Sequence, residues 1–291
     1  MNLTQKVMLT NLVRLLGNEE FLTLAELTFQ EEIDKKTFMC EARKLSRFVD
    51  AIVVSDYSFG LPTMNPIVPA LWLDDENIES VMGFYVEHRN PKAIFSDVLA
   101  GSESNLVNVI ISSYENPNDY ATCLELVDGI KATLEKQSRT RMSEERRMLN
   151  IGLTSGYMIE KPEESVALAR RYGVDFVSPP ETYDISGILQ PLVKRARSVG
   201  LHAILRTTLF TSAKAVKFAR KFIPEMFVPD EFIRALEGSS NPLEVGMKFV
   251  MDFVESVKSL KACGVYLVIP QKTEIYKHLP GITGKKVSAT D

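Results

Sequence analysis

The sequence predicts an α/β protein, a single (β/α)8 TIM barrel, and three observations carry that prediction. Eight short apolar runs rich in β-branched residues are spaced along 291 residues. A helical stretch with its own start and stop signals separates most neighbouring runs. No run is followed by the glycine-rich fingerprint that would favour dinucleotide binding by an open sheet, so the closed form, which leaves no parallel edge, is preferred. The runs fall at 22–27, 51–55, 80–85, 107–111, 150–153, 174–177, 202–205 and 265–269. They are continuous rather than alternating, as parallel strands covered on both faces require.

The helices between them are punctuated in the expected way. A polar junction, Thr28 to Glu32, precedes a helix expected over 37–48. Asn90-Pro91 supplies a cap and a first-turn proline, with Gly101 as a stop. Pro162 opens a helix with Val166, Leu168 and Ala169 as its inner stripe and Gly173 at its end. Val250, Phe253, Val254, Val257 and Leu260 recur at helical spacing. Residues 58–69, with three prolines and a glycine, read as a loop, and the charged segment 137–147 reads as a solvated connector before the fifth strand. Length permits one barrel of about 250 residues or two ordinary domains. No repeat or low-complexity break divides the chain, so 1–291 is expected to form one barrel domain. Residues 1–20 read as an N-terminal helical extension and 272–291 as a flexible tail.

Composition narrows the function classes. The apolar share is 45% and the charged share 25%, the balance of a soluble globular protein. A net charge of -4 argues against an extended nucleic-acid face. No apolar stretch is long enough to cross a bilayer and no secretory signal is found. Cys40, Cys123 and Cys263 are too dispersed for a disulfide framework or a zinc site, which leads us to expect free thiols and a cytoplasmic location. His88, His202 and His278 make no metal-ligand grouping, so no metal is expected.

Barrel enzymes place their chemistry just beyond the carboxyl ends of the strands. The polar residues there are Glu26, Asp56, His88 with Arg89, Glu115, Tyr157, Glu181, Arg206 with Thr207, and Gln271. Glu26 is the most informative, because a carboxyl inside LTLAELTF is costly unless compensated. Either it serves proton donation, or it is structural and pairs with a base such as Arg206. Asp56 beside Tyr57 either orients a ligand or makes a turn. His88, before Arg89-Asn90 at a helix start, serves an anion, a cofactor or the cap. Glu115 can accept hydrogen bonds from a heterocycle or satisfy a turn. Glu181 follows two stiffening prolines, and Arg206 is awkward in a strand unless it meets an acid or a ligand anion. Gln271 closes the ring or lies at the surface. No nucleophile arrangement or phosphate loop is present.

Taken in order, AELTF, HRNPKAIFSDVLAG with NLVNVIIS, LNIGLTSGY, GVDFVSPPETYD, VPDEFIRALEG and GVYLVI resemble elements of the methylenetetrahydrofolate reductase superfamily over about 22–271. The resemblance implies a barrel carrying FAD, reduced by NADH or NADPH, that converts 5,10-methylenetetrahydrofolate to 5-methyltetrahydrofolate. It implies Glu26 as the acid that protonates the folate bridge, with Glu115 as a second catalytic carboxyl that also contacts the pterin. Asp56, Tyr57, His88, Arg89, Asn90 and Tyr157 would lie on the cofactor side, and Glu115, Glu181, Arg206 and Gln271 on the substrate side. Two departures stand out. Ser113-Tyr114-Glu115 replaces the family's Arg-Gly-Asp, and Pro179-Pro180-Glu181 replaces its Thr-Gln. A pterin-dependent methyltransferase without flavin and a noncatalytic pterin-binding or assembly subunit are the alternatives. A homo-oligomer or a partner protein of C1 metabolism is the expected association.

Overall fold

The computed structural model describes residues 11–17, 20–27, 34–58, 61–113, 119–140, 149–221, 226–269, 273–276 and 278–285. Eight parallel strands close on themselves in chain order. They are β1 (Leu22–Leu27), β2 (Ala51–Ser55), β3 (Ser80–Tyr85), β4 (Asn108–Ser113), β5 (Asn150–Ser155), β6 (Phe176–Val177), β7 (His202–Thr208) and β8 (Gly264–Ile269). β8 pairs with β1 along the full length of both, Leu22 opposite Gly264 through Leu27 opposite Ile269, and this pairing closes the sheet. The predicted barrel is the observed one.

Helices cover the outside. They are α1 (Asn11–Gly17), α2 (Lys35–Leu45), α3 (Ile67–Asp74), α4 (Pro91–Glu103), α5 (Asp119–Thr140), α6 (Tyr157–Glu160), α7 (Pro162–Arg171), α8 (Gln190–Ser198), α9 (Ala213–Ala219), α10 (Asp230–Gly238), α11 (Pro242–Ser259), α12 (Thr273–Tyr276) and α13 (Leu279–Thr283). The expected caps are made: Asn90 accepts from the Lys92 N–H at the start of α4, and Gly173 takes φ 73° after α7. The inner stripe of α11 is buried at Val250, Phe253, Val254 and Val257.

Four expectations are corrected. Residues 58–69 are not simply a loop. Tyr57–Ser58 and Leu61–Pro62 pair as a two-stranded ribbon, and α3 starts at Ile67, with Pro69 in a first turn whose N–H groups need no helical partner. Gly101 does not end α4, which runs to Glu103. A Cβ there would lie 2.8 Å from the Met82 methyl, so the glycine sits in close contact with that side chain. Residues 137–140 belong to α5, while 141–147 lie outside the described residues. The expected tail carries α12 and α13, with Ile275, Leu279 and Ile282 buried, and Lys285 paired with Asp50 at 2.6 Å. Apolar spacing too short for a sequence period was enough to dock it.

The core has two parts. Outward-facing strand residues such as Ala25, Ile52, Met82, Ile111 and Val177 pack against the helices. Inside the barrel, Leu22, Leu24, Ala51, Val53, Val81, Ile110, Phe176, Ile204, Tyr266 and Val268 form a second cluster. Leu12, Leu15 and Leu16 of α1 join it, so the N-terminal extension contributes to the barrel's interior core.

Because side chains alternate along a strand, the inward columns can be read toward the carboxyl ends. They turn from apolar to polar: Leu22, Leu24, Glu26 on β1; Val53, Ser55 on β2; Ile110, Ser112 on β4; Gly152, Thr154 on β5; Ile204, Arg206, Thr208 on β7. Glycines make room for the larger members. A Cβ at Gly152 would stand 2.2 Å from the Phe176 ring, so the ring occupies the space that any other residue would fill. Gly152→Ala is therefore expected to destabilise the protein by about 1–3 kcal/mol through overpacking. Gly129→Ala, whose new Cβ would only touch the Phe95 ring at 3.4 Å, serves as the helical control. Urea unfolding of both variants checks this, and equal stabilities would contradict the packed-interior assignment.

Candidate functional site

The polar layer is organised around one guanidinium. Arg206, inward from β7, donates from Nη2 to Oε2 of Glu26 at 3.0 Å and from Nε to Oε1 of Glu181 at 2.7 Å. Glu26 is 0% exposed, Glu181 1% and the Arg206 side chain 7%. Burying such charges is costly, and removing one member of a buried set costs about 3–5 kcal/mol because it strands the others. Further donors compensate them. Tyr266, inward from β8, donates its O–H to Oε2 of Glu26 at 2.5 Å. The Arg206 guanidinium carbon also lies 4.5 Å from the centre of the Tyr266 ring, a cation–π contact. Ser58 donates to Oε1 of Glu26 at 3.1 Å, and Thr208 to Oε1 of Glu181 at 2.9 Å.

Burial pushes the Tyr266 phenol well above its ordinary range, and the nearby Glu26 charge adds to this while Arg206 opposes it. Its proton therefore stays on oxygen and is offered to Glu26. Tyr183 is raised likewise by burial; its oxygen shares a hydrogen bond with Thr207 at 2.9 Å and accepts from the Thr208 N–H at 3.3 Å, which fixes the end of β7.

Among the described residues, Thr154 Oγ1, Ser178 Oγ and Glu181 Oε2 are buried with no hydrogen-bond partner. They come from one arc. Leu153 of β5 pairs with Val177 of β6, and the Ser178 N–H continues the ladder to the Leu153 carbonyl, so Thr154 and Ser178 follow side by side. Glu181 comes three residues later.

Of the residues expected on the cofactor side, all but Tyr157 lie just after β2 and β3. Asp56 accepts from the Tyr85 N–H at 3.1 Å and from Arg89 at 3.4 Å. Arg89 is closer to Asp97, at 2.6 Å. Asn90 is occupied as the helix cap. His88 stacks on Tyr57 with ring centres 3.7 Å apart, and Tyr57 tilts against Tyr85. Tyr157 stacks on Tyr120 at 5.1 Å, beyond β5. The structure thus joins Glu26, Glu181 and Arg206 directly and leaves Asp56, Arg89 and Asn90 in local bonds. Glu115 and Gln271 lie outside the described residues.

Tyr266, Thr208, Ser58, Thr154 and Ser178 were not singled out from the sequence. Parity could have found three of them, since Thr208 lies two residues beyond Arg206, Thr154 two beyond Gly152 and Tyr266 two before Val268. Ser58 reaches Glu26 only through the ribbon's fold. A surface groove of about 440 Å³, lined by Pro91, Phe95 and Leu126 among others, lies in the helix layer and contains no member of the triad. Among the described residues, no group of three His, Cys, Asp or Glu side chains could hold a metal ion, and no helix is long and apolar enough to cross a membrane.

Asp56 gives a pH signature. Burial raises its carboxyl to about 6, against the opposing Tyr85 N–H and Arg89. A raised acid contributes most to stability below its unfolded pKa, and that contribution is lost as pH rises through the folded value. Relative to Asp56→Asn, the native protein should lose on the order of 2–3 kcal/mol between pH 4 and pH 7. Unfolding curves across that range measure the difference, and a pH-independent difference would remove Asp56 as its source.

No family model and no curated protein matches the chain. Among solved structures, it is similar to EDTA monooxygenase (EmoA) from Chelativorans sp. BNC1. The TM-score is 0.56 at 9% identity, over 93% of this chain and 96% of that one. At that identity the likeness is one of fold: both chains are built on the same barrel architecture.

Proposed function

We propose that this protein is a flavin-dependent oxidoreductase that reduces a C1-carrying folate or related pterin, with NADH or NADPH as electron donor. The observation that carries the proposal is the buried Glu26–Arg206–Glu181 triad at the carboxyl ends of β1, β7 and β6. A barrel gains no fold stability that apolar residues could not supply from three buried charges, and this is the end where barrels do chemistry. The ordered resemblance to methylenetetrahydrofolate reductases supports the substrate class. EDTA monooxygenase supports it only to the extent that redox chemistry occurs on this architecture, because fold alone does not carry function.

The residues fit a flat heterocycle bearing N–H and C=O groups. Thr154 Oγ1, Ser178 Oγ and Glu181 Oε2 are unpartnered polar atoms for such an edge, and the stacked Tyr57–His88 pair offers an aromatic surface. A flavin bound there would supply the hydride. The chain's own part is to exclude water, orient the ring and deliver a proton from a carboxyl of the triad, whose remaining charge Arg206 holds.

A second reading is favoured by specific contacts. Both oxygens of Glu26 are already occupied by donors, and Asp56, Arg89 and Asn90 are engaged in local bonds. That arrangement suits a pterin-binding protein or a pterin-dependent methyltransferase that has no flavin.

Absorbance and mass analysis of the small molecule released from purified protein separate the two. Noncovalent FAD is expected, and protein that takes up neither FAD nor FMN would sink the flavoenzyme reading. Glu26→Gln is expected to lower folate reduction by about 100-fold while flavin reduction by the nicotinamide continues. Loss of both half-reactions would instead point to a damaged fold or cofactor site.

A further inference from the structure

We infer that Glu181, through Oε2, is the carboxyl that meets the substrate and gives it a proton, and that Glu26 with Tyr266 is a positioning pair acting through Arg206. The inference rests on the pterin-reductase reading and assigns its acid.

The two carboxyls differ in what surrounds their oxygens. Oε2 of Glu26 accepts from Arg206 and Tyr266, and Oε1 accepts from Ser58. Every contact on Glu26 arrives as a donor, so both of its oxygens are already engaged within the protein. Glu181 is asymmetric. Its Oε1 accepts from Arg206 and Thr208, and its Oε2 is buried with no partner. An unsatisfied buried carboxyl oxygen is costly until something meets it.

Charge points the same way. Arg206 brings one positive charge to two carboxyls, so a proton on one of them balances the triad. Oε2 of Glu181 can carry that proton without losing a donated hydrogen bond. The Thr154 and Ser178 hydroxyls, also without a partner among the described residues, would hold the ring edge.

The step is a proton transfer. The O–H bond at Oε2 of Glu181 breaks and an N–H bond forms on an aminal nitrogen of the C1 bridge. The carboxylate left behind keeps its Arg206 and Thr208 donors, and solvent restores the proton. Ser58 of the ribbon donates to Oε1 of Glu26, which leaves Glu26 engaged at both oxygens while Glu181 is engaged at one.

The test compares Glu181→Gln, Glu26→Gln, Tyr266→Phe and, for binding, Ser178→Ala in two measurements, after thermal unfolding has shown each variant folded. The first is the pH profile of 5,10-methylenetetrahydrofolate reduction by the pre-reduced holoenzyme. Glu181→Gln should abolish the carboxyl-dependent limb and lower the rate by about 100-fold. Glu26→Gln and Tyr266→Phe should lower the rate across the profile while keeping that limb. The second is quenching of 6-methylpterin fluorescence, which needs no turnover. Glu181→Gln and Ser178→Ala should weaken binding by about tenfold and severalfold, and Glu26→Gln by no more than about threefold. A limb that disappears with Glu26→Gln and survives Glu181→Gln overturns the inference. If the native protein reduces no folate, the reductase reading fails, and the pterin measurement alone decides the Glu181 contact. Native-like pterin affinity in Glu181→Gln, or no pterin binding by the native protein, then overturns it.

Discussion

Arg206 is the interaction on which the upper half of the barrel depends. Two carboxyls from β1 and the β6 loop are buried against a single guanidinium, and neither could be sealed from water without it. The bond to Glu26 links residues 180 positions apart. It ties the first strand to the seventh across the barrel interior, with β8 between them in the sheet. Tyr266 of β8 fills that gap. Its ring lies against the guanidinium and its hydroxyl reaches Glu26, so three strands meet in one bonded unit.

This unit needs an apolar floor and a closed wall. Alternation supplies the floor: residues two positions earlier on the same strands, Leu24 and Ile204, face the same interior and are fully buried. Below them α1 adds Leu12, Leu15 and Leu16 to the core. Small residues shape the wall, as where Gly152 yields to the Phe176 ring and Gly83 to Ser55. The barrel thereby separates two environments along one axis, an apolar half that stabilises the fold and a polar half that holds charge. Among the described residues, Thr154, Ser178 and Glu181 of the polar half each keep one oxygen unsatisfied, a local cost of the kind that natural sequences accept at functional sites.

Much of the fold was legible because parallel barrel strands are long enough to show as apolar runs. β1, β2 and β3 match the sequence reading residue for residue, and β7 was read short because Arg206, Thr207 and Thr208 look like a loop until their inward partners are known. Glu26 was conspicuous for the opposite reason, as a carboxyl in an apolar strand, and Arg206 was a named alternative partner. Tyr266 was not conspicuous: a tyrosine in GVYLVI fits a strand whether or not its hydroxyl has work to do. The ribbon after β2 was hidden by its prolines, and the docked α12 and α13 by their brevity.

The sequence by itself determined the repeating strand–helix order, the caps at Asn90 and Gly173, and which polar residues stand at strand ends. These are local properties, set by side-chain period and backbone preference within a few residues. Only the tertiary structure decided which of those polar residues share a hydrogen bond. Asp56 and Arg89 read as ligand or turn groups, and closure bonds them to Tyr85, to Asp97 and to each other. Glu26 read as either a proton donor or a structural acid paired with a base such as Arg206, and closure gave it that pairing and two further donors. Glu181 read as either a ligand contact or a rigid turn, and closure buried it with one oxygen unmet among the described residues. Partners in a closed barrel come from strands far apart in the chain, so burial and pairing depend on the register of the whole sheet, which no local stretch of sequence contains.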